Sequence, residues 1–167
     1  ASRLDYCNSL LAGTTAQNIS RLQRMQNNAA RVVCQATRRN SVKPLLQKLH
    51  WLPVEQRIQY KVSMLTFKAL TMGDPTYLRD LLIIHEPSRA LRSVGSNRLV
   101  VPTTNNKTRL AGRAFQNYAP KLWNGLPSEL REMANLYEQS SSVDNVPNTA
   151  LFKNRLKTTL FTSAFIG

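Results

Sequence analysis

Basic side chains recur along one side of a helix-forming segment near the start of the chain. Between residues 15 and 36, apolar residues stand three and four positions apart, and arginines and amides recur at similar steps on the other side. At about 100° per residue, this second set falls within roughly a 100° arc. An arginine can hold two oxygens of one phosphate, so arginines one turn apart can follow a nucleic-acid backbone. The candidate phosphate-binding residues are Arg21, Arg24, Arg31 and Arg38, continued by Arg39 and Lys43.

The alternative for this surface is an ordinary solvated helix face. Such faces usually mix charges of both signs, whereas residues 15–36 contain no Asp or Glu, which favours phosphate binding. A second basic set lies on a glycine- and proline-rich stretch and shortly after it. Such segments commonly become ordered on a polyanion, but they are equally common as plain surface, and both interpretations remain open. Its members are Arg89, Arg92, Arg98, Lys107, Arg109 and Arg113.

The other residue types that carry chemistry do not form a catalytic set. The aspartates are Asp5, Asp74, Asp80 and Asp144, and no two have a spacing typical of a two-metal cluster. Asp5 is expected to cap a helix, and Glu129 with Glu132 to lie at an exposed helix start. Cys7 and Cys34 are expected to be small core residues, and His50 a packed, hydrogen-bonded side chain. No glycine-rich phosphate loop occurs, so neither an autonomous enzyme nor a cofactor is predicted.

The charge of the chain points to a polyanionic partner or an acidic neighbour. The 167 residues include 23 Lys and Arg against 9 Asp and Glu, a formal net charge of +14. Residues 1–72 hold 11 basic and 2 acidic side chains, net +9, so this half is predicted to face phosphates. Two cysteines without a metal motif fit a reducing intracellular compartment, cytoplasm or nucleus. Neither a secretory signal nor a membrane span is recognisable, and no membrane partner is predicted.

Helical periodicity and punctuation predict the elements that must position these residues. In the helix over 15–36, the residues expected to face inward are Ile19, Leu22, Met25, Ala29, Val32, Val33 and Ala36. A helix is predicted over 2–11, starting from a weak capping box of Ser2 and Asp5, and another over 42–50. Pro53 is expected to start a helix that Gly73 ends, with apolar positions from Val54 to Met72. Asp74-Pro75 precedes a further helix, whose inward residues are Tyr77, Leu78, Leu81 and Leu82.

The helical period disappears over 85–108. Residues 99–101 could form one edge strand, paired with residues 108–114 in a small hairpin. Two short helices punctuated by Pro120 and Pro127 are predicted within 112–133, with Phe115 and Trp123 in the core. A polar insertion spans 138–149. The last helix, over 150–161, is expected to bury Leu151, Phe152, Leu156 and Leu160.

These elements predict a mainly α fold: a bundle of about six to eight helices with at most one small β-hairpin. A basic helical region, 1–72, is followed by a mixed helical region, 73–167, and the two are expected to form one compact unit.

Several stretches of the sequence resemble those of a known protein family, both in their residues and in their order along the chain. They are SRLDYCNSLLAG (2–13), LQRMQNNAARVV (22–33), LHWLPVEQRIQYKV (49–62), PTYLRDLL (75–82), SRALRS (88–93), LVVP (99–102), RAFQNYAPKLWNGLPSELR (113–131) and FKNRLKTTLF (152–161). The chain resembles the C-terminal, thumb-adjacent region of LINE-type, non-LTR retrotransposon reverse transcriptases of the jockey-like branch. The resemblance covers nearly the whole chain.

The resemblance implies a role in RNA-templated DNA synthesis beside an upstream polymerase domain. The family's catalytic aspartates lie in a Tyr-x-Asp-Asp motif of the palm that has no counterpart here, so no catalytic residue is carried over. This region would grip template RNA, the RNA–DNA hybrid or target DNA. Two alternatives remain: a helical module that docks on the missing palm or on another protein, and an inactive relic of a retroelement.

Overall fold

A computed structural model of the chain describes residues 5–86, 97–103, 111–134 and 148–166. Within these ranges it contains seven α-helices and no sheet, which confirms the mainly α fold class. The helices are α1 (Ala16–Val33), α2 (Val42–Lys48), α3 (Val54–Met72), α4 (Thr76–Arg79), α5 (Phe115–Asn124), α6 (Ser128–Glu132) and α7 (Thr149–Phe165).

The chain divides into two compact units. The first comprises Ala1–Lys61 with Lys157–Gly167, and the second comprises Val62–Leu156. Helices α3 and α7 therefore each contribute residues to both. The division into regions 1–72 and 73–167 stays a prediction.

The core of the first unit forms where α1 packs on α2. Ala30, Leu46 and Phe165 are buried together, and partly buried apolar side chains surround them. Ala30 has no exposed surface, and its small side chain allows the neighbouring elements to approach α1 closely. The surrounding residues are Val42, Leu45, Leu49, Trp51, Phe161 and Ala164.

The apolar stripe predicted to face inward on α1 is largely exposed, which is a correction of the sequence-based expectation. Met25, Ala29, Val32 and Val33 are exposed, whereas Gln26 and Ala30 are the buried residues of the helix. Ile19, Leu22 and Ala36 are half-buried. On the helical wheel, the buried side of α1 is therefore turned well away from the centre of the stripe.

Hydrogen bonds to the segment before α3 explain this orientation. Gln26 Nε2 donates to the Leu52 carbonyl at 2.8 Å, and Gln23 Oε1 accepts from the Val54 backbone N–H at 2.9 Å. A turn into a helix leaves such backbone groups unpaired, and burying them without partners is costly. The two glutamines supply partners only if their side of α1 faces inward.

The predicted N-terminal helix over 2–11 does not extend as far as predicted: Asp5 is helical, but the residues after it leave the α-helix. Cys7 adopts a left-handed backbone conformation with φ of 51°, which an α-helix cannot contain, and Asn8–Leu11 form a short 3₁₀-helix. Cys7 is exposed and Cys34 half-buried, so neither is a fully buried core residue. Asp5 Oδ1 accepts a hydrogen bond from Arg57 at 2.7 Å, in an ion pair that the sequence did not predict.

His50 is exposed, contrary to the packed position predicted for it. Its φ is 52°, and its ring stacks on that of Phe161 with 5.9 Å between centroids. The left-handed backbone directs the chain out of α2 towards Pro53 and α3. The predicted helix start at Pro53 and the stop at Gly73, whose φ is 65°, are confirmed.

Aromatic rings form the core of the second unit. Phe67 and Phe152 stack with centroids 4.0 Å apart, and Trp123 lies 6.1 Å from Phe152. All three are essentially without exposed surface, which confirms the core position predicted for Trp123. Phe115 is half-buried. Aromatic side chains of this size each remove a large apolar area from water.

Several terminal residues of the predicted apolar stripes are exposed. They are Met72, Tyr77, Leu81 and Leu151. Each lies in the first or last turn of its helix or just beyond it, where fewer neighbouring elements are available to cover a side chain. Phe152, Leu156 and Leu160, within the body of α7, are buried as predicted.

The predicted edge strand at 99–101 is reduced to a single antiparallel bridge between Leu99 and Ile84. On its other side, the Asn124 side chain accepts from the Leu99 N–H and donates to the Leu99 carbonyl, both at 2.8 Å. An amide side chain thus takes the place that a second strand would occupy. Of the predicted hairpin partner, 108–114, residues 108–110 lie outside the described ranges, as does the insertion 138–149 except for Asn148 and Thr149.

Candidate nucleic-acid interface

An open groove of about 730 Å³ lies within the first unit, along α1, α2 and the start of α3. Its apolar lining includes Ile19, Leu46 and Phe165. Its size is in the range of small-molecule sites, although it is open along one side like a surface channel. The remaining lining residues are Thr14, Ala16, Ser20, Gln23, Arg24, Asn27, Val42, Lys43, Pro53, Glu55, Gln56 and Ala164.

Two of the predicted phosphate-binding residues line this groove together. Arg24 comes from the middle of α1, and Lys43 comes from the first turn of α2. Both side chains are exposed, so their charged groups remain hydrated and available to a ligand. Packing of α1 on α2 brings together residues that are 19 positions apart in the sequence.

The other candidates of the first unit occupy different positions. Arg21, Arg38 and Arg39 are exposed, but none of them lines the groove. Arg31 is half-buried, and its Nε is shielded from solvent. Arg38 and Arg39 follow the end of α1 at Val33, so the continuous helical arginine face predicted up to residue 38 ends earlier.

Only two of the six residues of the second basic set, Arg98 and Arg113, lie within the described residues. Arg89, Arg92, Lys107 and Arg109 lie outside the described residues. Arg113 is half-buried in a short 3₁₀-helix, and Arg98 is exposed beside the Leu99 bridge. Desolvation, and after it the positive charge of Arg98, lowers the pKa of the buried Arg131 guanidinium. Arg98 is therefore close to a second positive charge within the second unit.

The charges around the groove are predominantly but not wholly positive. Glu55, in the first turn of α3, is the carboxylate in its lining, where it complements the helix dipole. Arg57 is already engaged, because its guanidinium bonds to the Asp5 carboxylate and to the Leu52 carbonyl. The basic groups that remain available on the groove wall are therefore Arg24 and Lys43.

Neutral amides complete the groove, and the sequence did not single them out. Gln23 Nε2 donates to Asn27 Oδ1 at 2.8 Å while its Oε1 receives the Val54 N–H. The two amides are thereby held on the groove wall. Gln23 and Asn27 stand four residues apart, on one side of α1, but nothing in the sequence pattern marks either of them as a candidate.

This arrangement can bind an anion. Positive groups from two helices, together with amide and apolar side chains in the same lining, suit a phosphate backbone with an adjoining sugar or base. Among the described residues, no three His, Cys, Asp or Glu side chains group closely enough to hold a metal ion. No helix in the described part of the chain is long and apolar enough to cross a bilayer.

Comparisons with protein-family models, with curated proteins and with solved structures gave no match to this chain.

Proposed function

We propose that the first unit binds the sugar–phosphate backbone of a nucleic acid along the groove between α1 and α2. One observation carries the proposal: Arg24 and Lys43, from two different helices, line the same open groove. Two positive groups fixed on a shared wall can hold one backbone at two points, which sets its path across the surface. The excess of basic residues before residue 73 adds long-range attraction to these contacts.

The proposed biological role is that of a non-catalytic C-terminal part of a retrotransposon RNA-directed DNA polymerase. Its ligand would be template RNA, the RNA–DNA hybrid or target DNA, and its partner the upstream polymerase domain of the same polyprotein. The sequence resemblance supports this role, and so does the positive charge of the groove. Synthesis primed at a nicked chromosomal target would place the parent protein in the cytoplasm and the nucleus.

Binding in this groove is driven mainly by the release of counterions from the nucleic acid. Log affinity falls linearly with log salt. Each phosphate that the protein neutralises makes this negative slope steeper, by about 0.9 for duplex DNA and about 0.7 for a single strand. The side-chain amides of the groove would position the backbone, since they can accept or donate hydrogen bonds without adding charge. Sequence preference is expected to be weak, because phosphate contacts carry no base information.

A matched pair of lysines on α2 tests the proposal. Lys43 lines the groove, whereas Lys48, exposed on the same helix, does not. Lys43→Gln should reduce the steepness of the salt dependence by about one phosphate contact, 0.7 to 0.9 in slope. Lys48→Gln removes the same charge and should leave the slope unchanged. The measurement is fluorescence anisotropy with a labelled RNA–DNA hybrid at several salt concentrations.

Arg24→Gln should reproduce the effect of Lys43→Gln, and the double variant should lose close to two contacts. Equal effects of Lys43→Gln and Lys48→Gln would mean that only net charge attracts the nucleic acid, and the groove would have no special part. Unchanged slopes in both Lys43→Gln and Arg24→Gln would show that the groove does not touch the backbone.

A further inference from the structure

An apolar stripe on α1 is uncovered, although its spacing is that of a packing surface. Met25 is 64% exposed, Val32 78% and Val33 58%. Ala29 between them is exposed as well. Residues at these positions lie on one side of a helix, so their exposed surfaces adjoin. Isolated apolar residues on a surface need no explanation, but an adjoining row of them commonly marks an interaction site.

Together with the half-buried Leu22 that precedes it, the stripe has the spacing of a helix–helix seam. Leu22, Met25, Ala29 and Val32 recur at steps of three, four and three, as the core positions of a coiled coil do. The flanking position, one residue before each of Leu22 and Ala29, holds Arg21 and Asn28. A small residue, Ala29, lies between the larger Met25 and Val32. A second helix could therefore approach closely at the centre of the stripe.

Charge indicates what kind of helix fits. The 18 residues of α1 include three arginines and no acidic residue, and the whole chain carries a net charge of +14. A second copy of this chain would bring the same excess of positive charge to the interface, which opposes pairing. A helix with acidic residues beside its apolar row would instead place a carboxylate near Arg21.

We propose that the α1 stripe, defined by Met25, Ala29, Val32 and Val33, docks an amphipathic helix with acidic flanks that belongs to a protein partner. Apolar side chains of the partner cover the stripe, and its carboxylates pair with Arg21 at the edge. This is recognition of one helix face by another, in which apolar anchors supply affinity and flanking charges select the partner. The site is distinct from the nucleic-acid groove, since none of the four stripe residues lines that groove.

Two designed peptides test this proposal on the full chain. Each is a helix of about three heptads with leucine at the core positions. One carries glutamate at the flanking positions and the other carries lysine. The glutamate peptide should bind the protein, and the lysine peptide should bind at least tenfold more weakly. Titration calorimetry at moderate salt measures both affinities.

Variants locate the binding site. Met25→Gln combined with Val32→Gln should weaken the glutamate peptide at least tenfold, while circular dichroism stays unchanged because both side chains are exposed. Tyr77→Gln is the matched control, since Tyr77 is exposed to a similar extent, 66%, on a different helix. The control should bind the peptide as the unchanged protein does. The salt slope for the RNA–DNA hybrid should be the same in all three proteins.

Several results would overturn the proposal. One is that neither peptide binds. Another is that both bind equally, which would indicate nonspecific hydrophobic binding. Sedimentation velocity that shows a dimer lost in the Met25/Val32 double variant would identify a second copy as the occupant. Stripe-dependent binding to vesicles of phosphatidylserine and phosphatidylcholine, without binding to the glutamate peptide, would identify a membrane surface instead.

Discussion

At the scale of single residues, amide side chains determine how the first unit is assembled. Gln23 on α1 accepts a hydrogen bond from Val54, the first residue of α3, and so caps that helix from 31 positions away in the sequence. Local capping by Ser, Thr, Asp or Asn has a sequence signature, whereas a cap supplied by another helix has none. The position of Gln23 could therefore not be predicted from its neighbours in the chain.

Replacement of Gln23 tests the energetic value of this cap. Gln23→Ala leaves the Val54 N–H without its partner and should lower the free energy of unfolding by about 1 kcal/mol. Urea denaturation followed by circular dichroism measures the change. Gln17→Ala, on an exposed position of the same helix, should change stability by less than about 0.5 kcal/mol.

Gln23→Glu provides a second check on the same hydrogen bond. It keeps an oxygen acceptor and places a negative charge at the helix N-terminus, so it should retain most of the stability that Gln23→Ala loses. If the alanine and glutamate variants were equally destabilised, the loss would come from packing or from the hydrogen bond that Gln23 donates to Asn27, rather than from the cap.

At the scale of elements, local signals predicted where helices occur but not how they are rotated. Pro53 at the start of α3, Gly73 after its end and Pro127 before α6 act through backbone geometry that depends on the residue itself. The rotation of α1 about its axis depends on what its neighbours need. The N–H of Val54 is paired by Gln23, and the Leu52 carbonyl accepts from Gln26 as well as from Arg57, so these contacts hold the amide side of α1 inward rather than the apolar stripe.

The extended segment at Leu99 shows the same limitation. Its β-branched residues predicted a strand, and the backbone is indeed bridged to Ile84. Its other edge is occupied by Asn124 of α5, which makes two hydrogen bonds to Leu99. Strand propensity is a local property, whereas the partner that satisfies the strand is decided by tertiary structure.

Asn124→Ala tests this amide pairing. Both backbone groups of Leu99, a residue with only 3% exposure, would lose a partner, so the free energy of unfolding should fall by about 2 to 3 kcal/mol. Chemical denaturation gives the value. Asn124→Asp retains an acceptor for the Leu99 N–H but has no donor for the carbonyl, and it too should be destabilising. A loss below about 0.5 kcal/mol in Asn124→Ala would contradict the importance of the pairing.

The candidate site was predictable in part. Residue type and charge predict Arg24 and Lys43 as phosphate-binding candidates. Arg24 lies on a helix without acidic residues, which is unusual on an ordinary surface, and Lys43 continues its basic side. Their meeting in one groove could not be predicted, since it depends on how closely α1 and α2 pack around Ala30 and Leu46. The amides of the groove wall, Gln23 and Asn27, could not be predicted either, because their place in the groove also depends on helix packing.

At the scale of the whole molecule, the excess positive charge and the groove lead us to expect that nucleic-acid affinity depends on salt. A chain with net charge +14 attracts any polyanion from a distance, but only ordered contacts release a defined number of counterions. The dependence of affinity on salt therefore reports contacts between charged groups, and a comparison of ligands reports the shape that the groove prefers.

The most direct measurement is fluorescence-anisotropy titration of the unchanged protein with a labelled RNA–DNA hybrid, duplex DNA and single-stranded RNA at several salt concentrations. We expect a linear fall of log affinity with log salt, with a slope of about −1.4 for a single strand and about −1.8 for a duplex, or steeper, from at least two phosphate contacts. Tightest binding to the hybrid would agree with a role beside a reverse transcriptase. Two results from a folded sample would contradict the proposed function. One is the absence of binding at low salt, and the other is an affinity that does not change with salt.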